Sequence, residues 1–167
     1  ALKTLTVTNS GVWDIGTFTI TAPGGITQNG ASTTTLSGNA TLATTDTGVT
    51  FGQVINGGGD LTITAGTGAI SLNTLGTGTA IGTVAITGST VNLGGTATLA
   101  ALDTLTVTNS GVWTIGAFTI TAPGGITQNG ASTTNLTGNA VLNTTNTAVD
   151  FDQAISGTGS LTIGAGT

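Results

Sequence analysis

The chain has 167 residues, only seven of them charged, and its formal net charge at pH 7 is −5. It contains no Cys and no His, which excludes zinc fingers, thiol nucleophiles and Ser-His-Asp triads. Its single cationic side chain, Lys3, leaves almost nothing to neutralise phosphate, so no nucleic acid partner is expected.

The composition favours β-strands over helices and over disorder. Hydrophobic residues make up 37% of the chain, while Thr occurs 42 times and Gly 29 times. Val, Ile and Thr suit a pleated strand, whereas Gly and Thr disfavour a helix. The longest apolar runs are only a few residues, so we expect no membrane insertion. The length allows one all-β domain with a sizeable core.

Short strands with sharp corners are predicted along the whole chain. Apolar and polar residues alternate in bursts, the signature of a strand. These bursts are LTV at 5–7, FTI at 18–20, LTI at 61–63, ISL at 70–72 and VNL at 91–93. Gly-rich and Asn-rich segments separate them, and these residues supply the positive φ angles that sharp turns need. Both prolines, Pro23 and Pro123, lie in such segments.

The bursts recur at a second, longer period, which is the separation of Leu42 from Ile63. Three rows share it: Leu42, Ile63, Val84 and Leu105; Val49, Ile70 and Val91; Phe51, Leu72 and Leu93. With three bursts in each period, the pattern predicts a three-sided parallel β-helix of about 20–21 residues per coil and roughly eight coils. Aliphatic columns would fill its core. Outside, Thr41, Thr62, Thr83 and Thr104 would form a hydroxyl ladder.

A large duplication sets the domain organisation. Residues 18–34 and 118–134 are identical, and 1–67 matches 101–167 at 51 of 67 positions. We therefore predict one β-solenoid segment over 1–167, in which 1–100 is a complete block and 101–167 a partial second block. A block would be about five turns of about 4.8 Å with one shortened coil. The chain is interpreted as a window on a longer array, with open strand edges at both ends.

The repeated phrases resemble a known family. GGITQNGASTTTLSGNATLAT, GDLTITAGTGAISL and TVNLGGTATLAALDTLTVTNSG are similar to the repeat regions of filamentous-haemagglutinin-like bacterial surface proteins. The resemblance covers essentially the whole chain. It implies a right-handed parallel β-helix shaft that is secreted and displayed as a long fibre at the cell surface or outside the cell. Further copies of the chain, end to end or laterally, are the implied partners, together with host or cell-surface glycans bound by a tip outside this segment.

The leading hypothesis is a structural shaft that forms a filament or sheath and supports adhesion. The alternative is an ice-binding solenoid, because Thr-X-Thr occurs at residues 6–8, 19–21, 62–64, 106–108 and 119–121. An ice-binding plane needs two parallel ranks of Thr. At the same period, the predicted second rank reads Ala43, Thr64, Ala85 and Thr106, and is half Ala.

We predict that the chain is not an enzyme and has no catalytic, cofactor-binding or metal-binding residues. Asp150 and Asp152 share one side of a strand, but the sister copy has Thr50 and Gly52 at those positions, so the pair is interpreted as solvated. Residues 57–63 faintly match a calcium-binding β-roll repeat, without its spacing. Trp13 and Trp113 are predicted to pack in the core, with exposed sugar-stacking platforms as the alternative.

Overall fold

The structure is a computed structural model that describes residues 2–94 and 103–166. Over this part of the chain it is all-β, without helices. The strands in chain order are β1 (Leu5–Val7), β2 (Trp13–Ile15), β3 (Thr19–Thr21), β4 (Ile26–Gln28), β5 (Thr34–Leu36), β6 (Ala40–Ala43), β7 (Val49–Phe51), β8 (Ile55–Asn56), β9 (Leu61–Thr64), β10 (Ile70–Leu72), β11 (Val84–Gly88), β12 (Val91–Leu93), β13 (Leu105–Asn109), β14 (Trp113–Ile115), β15 (Thr119–Thr121), β16 (Ile126–Gly130), β17 (Thr134–Leu136), β18 (Ala140–Asn143), β19 (Val149–Phe151), β20 (Ile155–Gly157) and β21 (Leu161–Gly164).

These strands stack in parallel as a β-solenoid of about seven turns, which confirms the predicted fold class. Face A is an eight-stranded sheet in the order β1-β4-β7-β10-β12-β14-β17-β20. Face C is a seven-stranded sheet that runs from β3 through β6, β9, β11, β13 and β16 to β19. Face B lies between them in chain order and comprises β2-β5-β8 in the lower coils and β15-β18-β21 in the upper coils. Among the described strands, the faces follow one another along the chain in the order A, B, C.

The coil length on face A is close to the predicted period. The register partners on this face begin at Leu5, Ile26, Val49, Ile70, Val91, Trp113, Thr134 and Ile155. Most of these steps equal the predicted period, and the others exceed it by one or two positions. Two of the predicted rows are confirmed directly: Val49, Ile70 and Val91 are in register, and so are Phe51, Leu72 and Leu93. Within these two rows, apolar residues therefore stack on apolar residues of the adjacent coils.

The third predicted row is wrong by two positions at one step. Leu42 does pair with Ile63, and Val84 with Leu105, but Ile63 pairs with Ile86 and not with Val84. The added length lies between Leu75 and Val84, where 76–83 replaces the shorter segment 56–60 of the coil below. The predicted Thr ladder breaks at the same step, because Thr62 lies beside Ala85.

A short corner absorbs the extra length in the same coil. The corner from Ile86 to Val91 is two positions shorter than the corner from Ile63 to Ile70 beneath it, so face A keeps its period. Gly88 occupies this corner, where a β-carbon would lie 3.0 Å from the backbone carbonyl oxygen of Gly68 and 2.8 Å from Cδ1 of Ile70. The close approach explains why the shortened corner has a glycine.

The block length differs from the prediction of about five turns with one shortened coil. Leu5 starts a strand of face A, whereas its duplicate, Leu105, starts a strand of face C. From β1 the chain climbs four coils to β12, and then reaches face C at β13. A block of one hundred residues is thus four and two-thirds turns.

Coil stacking creates the buried core. Phe18, on the first coil, is 63% exposed, whereas Phe118, inside the stack, is only 6% exposed. At the other end, Ile155 is 40% exposed while its duplicate Ile55 is 1% exposed. Identical side chains thus become core residues when a coil lies on both sides of them. Burying a Phe or Ile in this way contributes about 1.5–3 kcal/mol.

Candidate functional surface

Face A presents a single outward row of uncharged polar side chains. Its three-residue strands direct both ends inward and only the middle residue outward. In register, that row is Thr6, Thr27, Thr50, Ser71, Asn92, Thr114, Asn135 and Ser156. Hydroxyl and amide groups therefore line this face from the first described coil to the last.

Face C presents two outward rows, because most of its strands are longer. The first row is Thr19, Thr41, Thr62, Ala85, Thr106 and Thr127, and the second is Thr21, Ala43, Thr64, Thr87, Thr108 and Asn129. Nine of these twelve side chains are Thr. Neighbours along a row are about 4.8 Å apart, and the two rows are about 7 Å apart.

The second row differs from the one expected from a constant period. That expectation placed Thr64 between Ala43 and Ala85, but the structure pairs Thr64 with Thr87. Thr87 in turn pairs with Thr108, and all three Thr side chains are at least partly exposed. The added length of the fourth coil thus brings three Thr residues into consecutive positions.

Charged side chains are few on the outward rows of faces A and C. Asp150 continues the first row of face C above Thr127, and Asp152 is exposed beyond the end of the same strand. Among the described residues, no three His, Cys, Asp or Glu side chains come together as a metal site would require, and no pocket is enclosed. The absence of enzymatic activity stays a prediction.

Both tryptophans pack against phenylalanine inside the solenoid, as predicted. Trp13 stacks on Phe51 with ring centroids 5.8 Å apart, and Trp113 stacks on Phe151 at the same distance. Trp113 is fully buried, while Trp13 is half-buried because it lies on the first coil. Neither indole is an exposed platform for a sugar ring.

A buried polar corner in each block was not foreseen from the sequence. Gln128 is fully buried, and its Nε2 donates to Oδ1 of Asn109 in the coil below at 2.7 Å and to the Ser132 carbonyl oxygen at 3.3 Å. Gln28 makes the same bond to Asn9, at 2.8 Å. The sequence feature that could have indicated this corner is the TQNG segment, which is unchanged in both copies. The buried Gln amide links adjacent coils by hydrogen bonds.

Other corners tie coils together through side chains that accept backbone hydrogen bonds. Asn39 Oδ1 accepts from the Asp60 N–H at 3.0 Å, and Asp60 Oδ1 accepts from the Thr83 N–H at 2.8 Å. Asn139 repeats the first contact with Ser160, at 3.2 Å. The polar groups at these corners therefore bind the next coil of the same chain.

Asp46 forms a charged version of this contact. Its Oδ1 accepts a hydrogen bond from the Thr67 N–H at 2.9 Å, and this bond, with a second contribution from the Thr67 side chain, holds the pKa of Asp46 below its usual range. Its duplicate is Asn146, and both residues have φ near +55°. Asp and Asn tolerate this left-handed conformation better than most residues do.

No helix with the length and apolarity of a membrane span occurs among the described residues. Comparison with known proteins found no matching family model, curated protein or solved structure. The described surface therefore consists of outward rows of hydroxyl and amide side chains on faces A and C, and of end coils on which apolar side chains are partly exposed.

Proposed function

We propose that this chain is a structural repeat of a long bacterial fibre or adhesin shaft, displayed outside the cell, where it forms a filament or sheath. The similarity of its phrases to filamentous-haemagglutinin-like repeats supports this assignment. In this role the chain acts as a spacer, and a tip outside the segment would bind host or cell-surface glycans.

The observation that carries the proposal is the change in exposure between duplicated residues. Phe18 and Ile155 are exposed on the end coils, while Phe118 and Ile55 are covered by neighbouring coils. Among the described strands, β1 and β20 at the two ends of face A also pair on one side only. A further coil of the same kind, from the same chain or another copy, would cover both features. Stability would then grow with every added coil, as a fibre requires.

Electron microscopy of the full-length protein on the bacterium that produces it would test this role. We expect thin unbranched filaments, labelled along their length by antibodies against this chain on unpermeabilised cells. Proteinase K treatment of intact cells should remove the label. It is preferred to trypsin because, within these 167 residues, trypsin could cut only at Lys3. Compact particles of uniform size, or labelling only after permeabilisation, would contradict the proposal.

Ice binding is the second candidate, and the register of face C favours it more than the sequence did. Nine Thr side chains occupy two parallel rows over six coils, where the sequence predicted a second row that was half Ala. Such rows place hydroxyl and methyl groups at regular intervals of about 4.8 and 7 Å, which can order water. Thermal hysteresis of the purified chain measures this activity, and its absence would end the hypothesis.

A further inference from the structure

The duplication moves every strand to a different face of the solenoid. The duplicates of β1 on face A, β2 on face B and β3 on face C are β13 on face C, β14 on face A and β15 on face B. The same displacement holds through β9 and β21, which occupy faces C and B. The second copy is therefore related to the first by a translation along the solenoid axis and a rotation by one face.

Two core contacts recur on the rotated faces. Trp113 stacks on Phe151 at the corner of faces A and C, as Trp13 stacks on Phe51 at the corner of faces B and A. The bond between Gln128 and Asn109, at 2.7 Å, likewise reproduces the bond between Gln28 and Asn9, at 2.8 Å. These two contacts thus form on either pair of faces, so they permit a block to be rotated by one face relative to the block before it.

We infer that successive blocks in an array are related by a screw operation of one face, so that each surface patch appears on all three sides in turn. This inference rests on the proposed function, in which further blocks continue the array. With four and two-thirds coils per block, three blocks make fourteen turns and restore the original setting. At about 4.8 Å per coil, one block rises about 22 Å and the full period is about 67 Å.

The rotation determines how any partner meets the fibre. A flat surface that recognises one patch of a block would contact it once in three blocks, about every 67 Å. Partners that surround the fibre, including neighbouring fibres of the same kind, would find that patch on each of the three sides. A block of five whole turns would instead present every patch on one side only.

Engineered cysteine pairs on the present chain test the rotation, because the chain has no Cys of its own. The register places Ala85 beside Thr106 on face C and Asn92 beside Thr114 on face A. The Cα atoms of such strand neighbours lie about 4.8 Å apart, within the range of Cα separations that disulfides bridge. After mild oxidation, mass spectrometry should find most of the A85C/T106C and N92C/T114C proteins cross-linked. The pair N92C/T106C, which an unrotated block would bring together on face A, should stay at background.

The pair T6C/T27C is the control, because both residues lie within the first copy and adjoin under either arrangement. Efficient cross-linking of N92C/T106C, or failure of both predicted pairs while T6C/T27C succeeds, would overturn the inference. Helical reconstruction of filaments separates it from the proposed function. A rise of about 22 Å and a rotation of one face per block would support both the shaft proposal and the screw relation between blocks. Filaments whose blocks rise about 24 Å without rotation would overturn only the screw relation. If no filaments form, the shaft proposal fails, while the cysteine pairs still decide the rotation within the chain.

Discussion

Gly57 lies so close to Leu36 in the coil below that a β-carbon on Gly57 would overlap the Leu36 backbone. Its φ of 123° is also one that residues with a side chain rarely adopt. The Gly57→Ala change should therefore lower the free energy of unfolding by about 2 kcal/mol or more. The midpoint of urea unfolding, followed by far-UV circular dichroism, measures the effect.

The adjacent Gly58 is the matched control. A β-carbon there would meet nothing within 4 Å, so Gly58→Ala should shift stability by only about 0.5 kcal/mol. Equal effects of the two changes would mean that the corner does not approach Leu36 as described.

The side-chain bonds at the corner of Asn39 should contribute to stability. Removing its Oδ1 leaves the Asp60 N–H to water, so Asn39→Ala should lower the free energy of unfolding by about 1 kcal/mol. Asn39→Asp keeps the acceptor and should retain most of the stability. Asn92→Ala is the control, because Asn92 is exposed on face A and makes no side-chain hydrogen bond among the described residues. A loss as large in that variant would argue against the corner contact.

Acid should weaken the corner at Asp46. The Thr67 N–H lowers the pKa of Asp46 in the folded chain, so the folded state keeps this carboxylate charged at pH values where the unfolded chain binds a proton. Its stabilisation is complete above the unfolded pKa of about 3.9 and is lost as pH falls through the lower folded value.

The Asp46→Asn variant should lose this part of the acid sensitivity while keeping an amide oxygen that can accept from Thr67. Asn146 already occupies the same backbone conformation in the second copy. Unfolding midpoints between pH 2 and 7 compare the variant with the original chain, and Asp14→Asn controls for the loss of one charge. If the unfolding midpoint of Asp46→Asn falls at low pH as steeply as that of the original chain, the prediction is contradicted.

The sequence was sufficient to predict the fold, because stacked columns leave a direct trace in it. Val49, Ile70 and Val91 recur at the length of one coil and are in register. Total spacing does not reveal which corner carries an insertion, however. The fourth coil gains residues before Val84 and loses two before Val91, so face A keeps its period while face C shifts.

The sequence also did not show the rotation between blocks or the second row of Thr on face C. Both depend on which face a strand occupies, and a three-sided solenoid with similar faces gives no difference in composition to mark them. The buried Gln128 was missed for a related reason: polarity suggested an exposed corner, while its partner Asn109 lies almost one coil earlier in the sequence. No catalytic, cofactor-binding or metal-binding residue was predicted, and the outward Thr rows of face C were predicted only as far as Thr62 and Thr64, because their later members depend on the register.

If face C binds ice, a bulky side chain in its second row should disrupt binding. Thr87 lies between Thr64 and Thr108 on this face and is exposed, so Thr87→Tyr should remove most of any thermal hysteresis. Ser71→Tyr places the same side chain on face A and is the control. Equal activity in both variants would exclude face C as the ice-binding plane.

End-to-end association should be visible through Trp13. The chain has two tryptophans, so Trp113→Phe leaves Trp13 as the only indole. Trp13 is half-buried on the first coil, and a second copy stacked there would cover it, as the inner coils cover Trp113. Acrylamide quenching of Trp113→Phe should therefore weaken as protein concentration rises. In Trp13→Phe the remaining indole is already fully buried, and its quenching should stay constant. Light scattering detects larger assemblies independently. If it shows them while the quenching of Trp13 stays the same, the copies associate through their sides and not through their ends.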